Sequence, residues 1–176
     1  TTVGKEFKVF AYRLNNIYNL MKKVKFTSKF SGAVGNFNAH KIAYPNVKWM
    51  ETSKSFIESL GLTYNPVTTQ IESHDNLCLL LSHVKILNNI IKDFNSDMWL
   101  YISYGYFKEK AKKGEVGSST MPHKVNPINH ENSMANVEMS NSLIDGLVNN
   151  LSISRMQRDL SDSSKLRNLG VVFSHS

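Results

Sequence analysis

The segment Gly114–Pro127 reads GEVGSSTMPHKVNP. It gathers three hydroxyls (Ser118, Ser119, Thr120), an ammonium (Lys124), an imidazole (His123) and an amide (Asn126). A serine hydroxyl acts as base or nucleophile only where its alkoxide is stabilised, and a nearby lysine with backbone N–H groups can do that. The same donors can hold a developing oxyanion. Gly117 frees the backbone just before the serines. Connections between bundle helices are usually ~2–8 residues, and longer ones tend to be functional. A plain connection is the competing reading.

A second candidate runs Ser154–Arg167, SRMQRDLSDSSKLR. Only four of the chain's 21 basic residues are arginines, and Arg155, Arg158 and Arg167 all lie in this stretch. Arginine presents a planar fork that matches carboxylate and phosphate, which lysine does not. Arginines beside serines at a helix start suit an anion pocket; a solvated helix start capped by Asp and Ser fits the same residues. A third, weaker candidate is Thr68-Thr69-Gln70. Other clusters are easily set aside. His130-Glu131 opens like a zinc-protease motif, but the second histidine is replaced by Met134. His74 and His83 are nine apart on one helix and cannot share a metal. Cys78 falls beside an apolar seam and reads as core. His40 and His175 have no partner in view.

Apolar spacing supplies the elements that must position these groups. Val3, Phe7, Phe10, Leu14, Ile17, Met21 and Val24 step by four and three, a helix with one narrow seam. Lys29 to Pro45 breaks the pattern and reads as a loop. A short helix is expected over Val47–Leu60, stopped by Gly61. Leu77, Leu80, Val84, Leu87, Ile91, Phe94, Met98 and Tyr101 mark a long helix from Asp75 to Lys113, a rod of ~60 Å, with Gly114 as its cap. After the loop, Met134, Val137, Ile144, Val148 and Leu151 resume the stepping, with Asn141 as a polar interruption. A last helix starts near Asp162. The seams predict an all-α fold, a bundle of very long helices. Narrow seams on such helices also suit packing against other subunits, so an oligomer is expected.

The 176 residues carry a net charge of +7 and one cysteine. The lone cysteine excludes a disulfide framework and a four-cysteine zinc site, and points to a reducing compartment. No apolar run approaches the ~18–20 residues needed to span a bilayer, and the charged start is not a signal peptide. The positive charge admits nucleic acid as a partner. The lysines are scattered, however, and the aromatics lie largely on the helix seams instead of interleaving with a basic patch. The expectation is no nucleic acid and no membrane partner.

Gly117-Ser-Ser-Thr-Met-Pro-His-Lys-Val-Asn-Pro127 resembles the long, specific signature of the fumarase/aspartase superfamily, Gly-Ser-Ser-x-Met-Pro-x-Lys-x-Asn-Pro. Within it, GAVGNFNAH (Gly32–His40), NPVTTQIESHD (Asn65–Asp75), the His of MPHKVNP, ENSMAN (Glu131–Asn136) and SRMQRDLSDSSKLRNLG (Ser154–Gly170) are similar to the bacterial type of the branch that cleaves adenylosuccinate. The resemblance covers essentially the whole chain. Fumarase-type and argininosuccinate-cleaving relatives share the loop, with other residues expected at His123 and in the arginine segment. They remain alternatives, as does a helical scaffold that has lost catalysis.

The resemblance implies a homotetrameric enzyme of purine biosynthesis, with each active site drawing on three subunits; the single cysteine leads to the expectation of a cytoplasmic protein. It would eliminate fumarate from adenylosuccinate, leaving AMP, and from the succinylated imidazole ribonucleotide, with no cofactor and no metal. By motif position, Ser118 would be the general base. Lys124 and Asn126 would stabilise the aci-carboxylate carbanion, and Glu131 would orient a catalytic histidine. Gln70, Asn132, Arg158, Ser163 and Arg167 would bind the purine nucleotide substrate, with Asn126 counted beside them. The resemblance places the family's general-acid histidine just upstream of the segment matching Thr1–Glu6, with further domains on either side. Residues 1–176 are therefore expected to be the central helical-bundle domain of a longer lyase, carrying a mobile signature loop at 114–127, and to release no fumarate alone.

Overall fold

The computed structural model describes residues 1–109 and 126–176. In chain order the elements are α1 (Val3–Met21), β1 (Thr27–Ser28), α2 (Asn38–Ala43), α3 (Trp49–Ser59), β2 (Thr63–Tyr64), α4 (Asp75–Ser103), α5 (Ile128–Leu151), α6 (Ser161–Leu166) and α7 (Leu169–His175). The fold is all-α, dominated by the three long helices expected from the apolar stepping.

α4 lies between α1 and α5, so two of its faces are apolar. Cys78, Leu81 and Val84 pack against Ile144, Leu147 and Leu151 of α5 and Val172 of α7. Ile90, with Leu87 and Phe94, packs against Phe10 and Ile17 of α1. Arg13 pairs with Asp93 across the α1–α4 seam, and Lys85 with Asp145 across the α4–α5 seam. Thr2 caps α1: its hydroxyl accepts the backbone N–H of Lys5 at 3.3 Å.

The interruption at Asn141 is part of a polar layer. Asn88, fully buried on α4, donates through Nδ2 to Ser140 Oγ and to Asn141 Oδ1, both at 3.1 Å. Ser140 in turn donates to the Val172 carbonyl at 3.0 Å. Such a layer fixes one register, because sliding the helices would leave buried amide groups unpaired.

Four expectations need correction. The long helix stops at Ser103 instead of running to Lys113, so the rod is ~43 Å. Gly105 at φ +76 is a cap: its N–H bonds Ile102 O at 3.0 Å and that of Tyr106 bonds Tyr101 O at 2.9 Å, a Schellman motif. The expected cap at Gly114 lies outside the described residues. Within the expected loop Lys29–Pro45 sits α2, one short turn-and-a-half with no buried residue and hence no apolar signal. β1 and β2 form a two-residue parallel ladder, Thr27 beside Thr63 and Ser28 beside Tyr64. The last helix is broken into α6 and α7 near Arg167 and Asn168. α1 ends at Met21, short of Val24. As expected, α3 stops before Gly61, at φ +77.

Candidate functional site

The site residues that can be placed form two groups, one at each end of the α4–α5 pair. Ser118, Lys124 and all of the expected loop before Asn126 lie outside the described residues.

The first group sits where α5 begins beside the end of α4. Asn126 and Pro127 lead into α5, with Ile128 N–H on Asn126 O at 2.8 Å. Glu131 lies in the first turn, where an acid complements the helix dipole. Its Oε1 accepts from Trp99 Nε1 of α4 at 3.0 Å. The structure thus pairs Glu131 with an indole within the chain. Asn132 follows with its side chain exposed. Behind them His130 Nδ1 meets Asn95 Oδ1 at 2.7 Å, and Asn95 donates to Ser133 Oγ at 2.9 Å. Trp99 and Asn95 are supports that apolar spacing cannot reveal, because they act only once α4 and α5 run antiparallel.

The second group sits at the other end, where α4 begins and α5 has ended. Arg158 donates through Nη2 to Ser163 Oγ at 2.9 Å and lies 3.5 Å from Asp162 Oδ1. Asp162 also faces His74 Nε2 at 3.6 Å. Burial alone would raise the Asp162 pKa. The Ser163 backbone N–H, the Arg158 guanidinium and His74 outweigh it and hold the carboxyl below its ordinary value. Arg158 Nε and His74 Nε2 are buried without a hydrogen-bond partner among the described residues. Gln70 joins the group through its backbone, donating N–H to Gln157 O at 3.3 Å; its side chain is exposed. Arg167 ends α6 with an exposed side chain. A cavity of about 350 Å³ opens here, lined by Thr68, Thr69, His74, Ser152 and Ser154 among others.

Sequence reading named Arg158 and Ser163 but not Asp162 or His74 as their partners. Arg158 precedes α6, so no helical spacing signalled its pairing with Asp162. Cys78, expected as core, is buried, and its thiol is pushed up, mainly by burial. His40 packs edge-on against Trp49, Phe30 and Phe37. His175 pairs with Asn136 at 2.8 Å. Among the described residues, no three His, Cys, Asp or Glu side chains are grouped so that they could hold a metal ion, and no helix is long and apolar enough to cross a membrane.

Chemically, one end offers an anchored guanidinium and hydroxyl, with Arg158 Nε buried and unpaired among the described residues, suited to an anion. The other offers a fixed carboxylate and amides. A family model described as "Lyase" matches residues 1–139. The chain belongs to this lyase family. The family lies within the fumarase/aspartase all-α superfamily. Among relatives, the adenylosuccinate lyase of Buchnera aphidicola (subsp. Schizaphis graminum) is 52% identical over all of this chain and 39% of that protein. That of Escherichia coli K12 is 50% identical over 97% of this chain and 38% of its own length. That of Dictyostelium discoideum is 52% identical over 100% and 38%. The chain spans about two fifths of the length of the curated relatives it matches. The lyase match ends at residue 139, whereas the similarity to the individual enzymes continues through the Arg158–Ser163 group.

Proposed function

We propose that the full-length protein carrying this chain is an adenylosuccinate lyase of purine biosynthesis. It would eliminate fumarate from adenylosuccinate, giving AMP, and act likewise on the succinylated imidazole ribonucleotide. The observation that carries this reading is identity of about half of all residues, across the whole chain, with proteins of that name.

In this reading Ser118, as alkoxide, removes the proton on the carbon next to a succinyl carboxylate. The electron pair becomes an aci-carboxylate, whose added charge Lys124 and Asn126 stabilise. The C–N bond then breaks, a histidine acid protonates the departing nitrogen, and fumarate is left. Glu131 orients a histidine that another segment or subunit brings to it. Gln70, Asn132, Arg158, Ser163 and Arg167 bind substrate, the arginines and serine on its anionic groups. Loop 114–127 closes over the site and excludes water. No cofactor takes part. The separation of the two residue groups supports sites shared between chains; the assembly is a homotetramer, with residues 1–176 as its central helical domain. The protein works in the cytoplasm.

The test is to supply the full-length protein with adenylosuccinate and measure fumarate and AMP. Equimolar formation of both is expected, with argininosuccinate and malate left unconverted. No fumarate from adenylosuccinate overturns the reading. The isolated 176 residues are expected to release none.

A further inference from the structure

Lys29 lies between β1 and the glycine-bearing turn that precedes α2, and its side chain is half-buried. Its Nζ reaches three backbone carbonyls: Gly32 at 2.7 Å, Gln70 at 2.8 Å and Thr69 at 3.2 Å. An ammonium has three donors, so these contacts use its full set. No carboxylate among the described residues pairs with it. Burial pushes its pKa below the usual lysine range. A lysine held at that cost, on carbonyls alone, is spending its charge on the shape of the chain.

The shape in question is that of Thr68–Gln70. Gly35, at φ +76, lets the glycine turn press on this segment so closely that a Cβ there would stand 2.0 Å from the Thr68 carbonyl oxygen. Ser31 Oγ and Thr68 Oγ1 are 3.4 Å apart. On its other side Gln70 N–H bonds Gln157 O, next to Arg158. Gln70 is thus gripped through its carbonyl by Lys29 and through its N–H by the arginine segment, with its side chain left exposed.

We propose that Lys29 is a positioning residue, a three-carbonyl clamp that holds Gln70 in register with Arg158 so that the Gln70 amide meets the substrate. This rests on the substrate-binding role proposed above for Gln70. Lys29 itself touches no substrate.

The test uses the full-length enzyme with adenylosuccinate and the variants Lys29→Met, Gln70→Ala and their double. Misplacing a contact by about 1 Å can cost up to ~100-fold. Lys29→Met is expected to lower kcat/KM by about tenfold or more, mostly through KM, with oligomer mass unchanged. The double variant should match Gln70→Ala within about twofold, because both changes remove one interaction. A wild-type KM in Lys29→Met, or a loss that multiplies with that of Gln70→Ala, overturns the clamp. A wild-type KM in Gln70→Ala overturns the role of Gln70 itself and the clamp with it. If Lys29→Met does not fold, Lys29→Gln, which keeps part of the donor set, is measured against the same outcomes.

Discussion

Glu131 and Arg158 stand at opposite ends of α5. Glu131 is in its first turn, held by Trp99 near the end of α4. Arg158 follows its last turn, tied through Asp162 to His74 at the start of α4. The twenty helical steps from Glu131 to Leu151 span ~30 Å, too far for both side chains to touch one small substrate in the same chain. If both serve the proposed reaction, each site must combine Glu131 of one chain with Arg158 of another. Full-length Glu131→Gln and Arg158→Met are each expected to lose most activity. Mixed oligomers of the two should recover activity well above either parent, because some sites then draw both intact residues. A mixture no better than its parents would contradict shared sites.

Among the described glycines, Gly35 is the one least able to accept a side chain. Its φ of +76 is strained for an L-residue, and a Cβ would meet Thr68 O at 2.0 Å and Thr69 O at 2.8 Å. Gly35→Ala is expected to destabilise the full-length protein by at least ~2 kcal/mol. Gly146, in the middle of α5 with nothing within 4 Å of its ideal Cβ, is the control. Gly146→Ala should stabilise by about 0.5–1 kcal/mol. Thermal melting of both variants checks the contrast, and an unchanged midpoint for Gly35→Ala would count against the tight turn.

Asp162 gives the fold a defined acid sensitivity. Its folded-state pKa lies below that of an unfolded aspartate, for the hydrogen-bonding and charge reasons given above. Its contribution to stability is therefore fully present above the unfolded value of ~3.9. It fades as pH falls through the lower folded value. Asp162→Asn should cost about 1–3 kcal/mol at pH 7, by removing the charge that faces Arg158 and His74. Below pH ~4 the variant's stability should fall less steeply than that of the wild type. Parallel acid-unfolding curves for the two proteins would contradict the pairing.

The long helices were legible because each carries a three-and-four stepping of apolar residues, broken in α5 by Asn141, and burial of Phe10, Ile17, Val84 and Ile144 follows it. The end of α4 was not. The apolar stepping does not mark its stop; only the positive φ and paired carbonyls at Gly105 show the cap. α2 was hidden because it buries no residue. In the candidate site the arginines stood out by residue type and Ser163 through the family resemblance; Asp162 did not, because Arg158 precedes α6 and no helical spacing joins the two. Lys29 could not, because two of its three partners are backbone carbonyls forty residues away. Trp99 on Glu131 required knowing that α4 and α5 run side by side in opposite directions.

The most direct measurement is turnover and AMP binding in the full-length Ser118→Ala variant. Loss of a general base is expected to lower kcat on adenylosuccinate by about 100-fold or more, while AMP affinity stays within about twofold of wild type. Turnover near wild type would contradict the assignment of Ser118, and with it the central claim that this loop carries out the elimination.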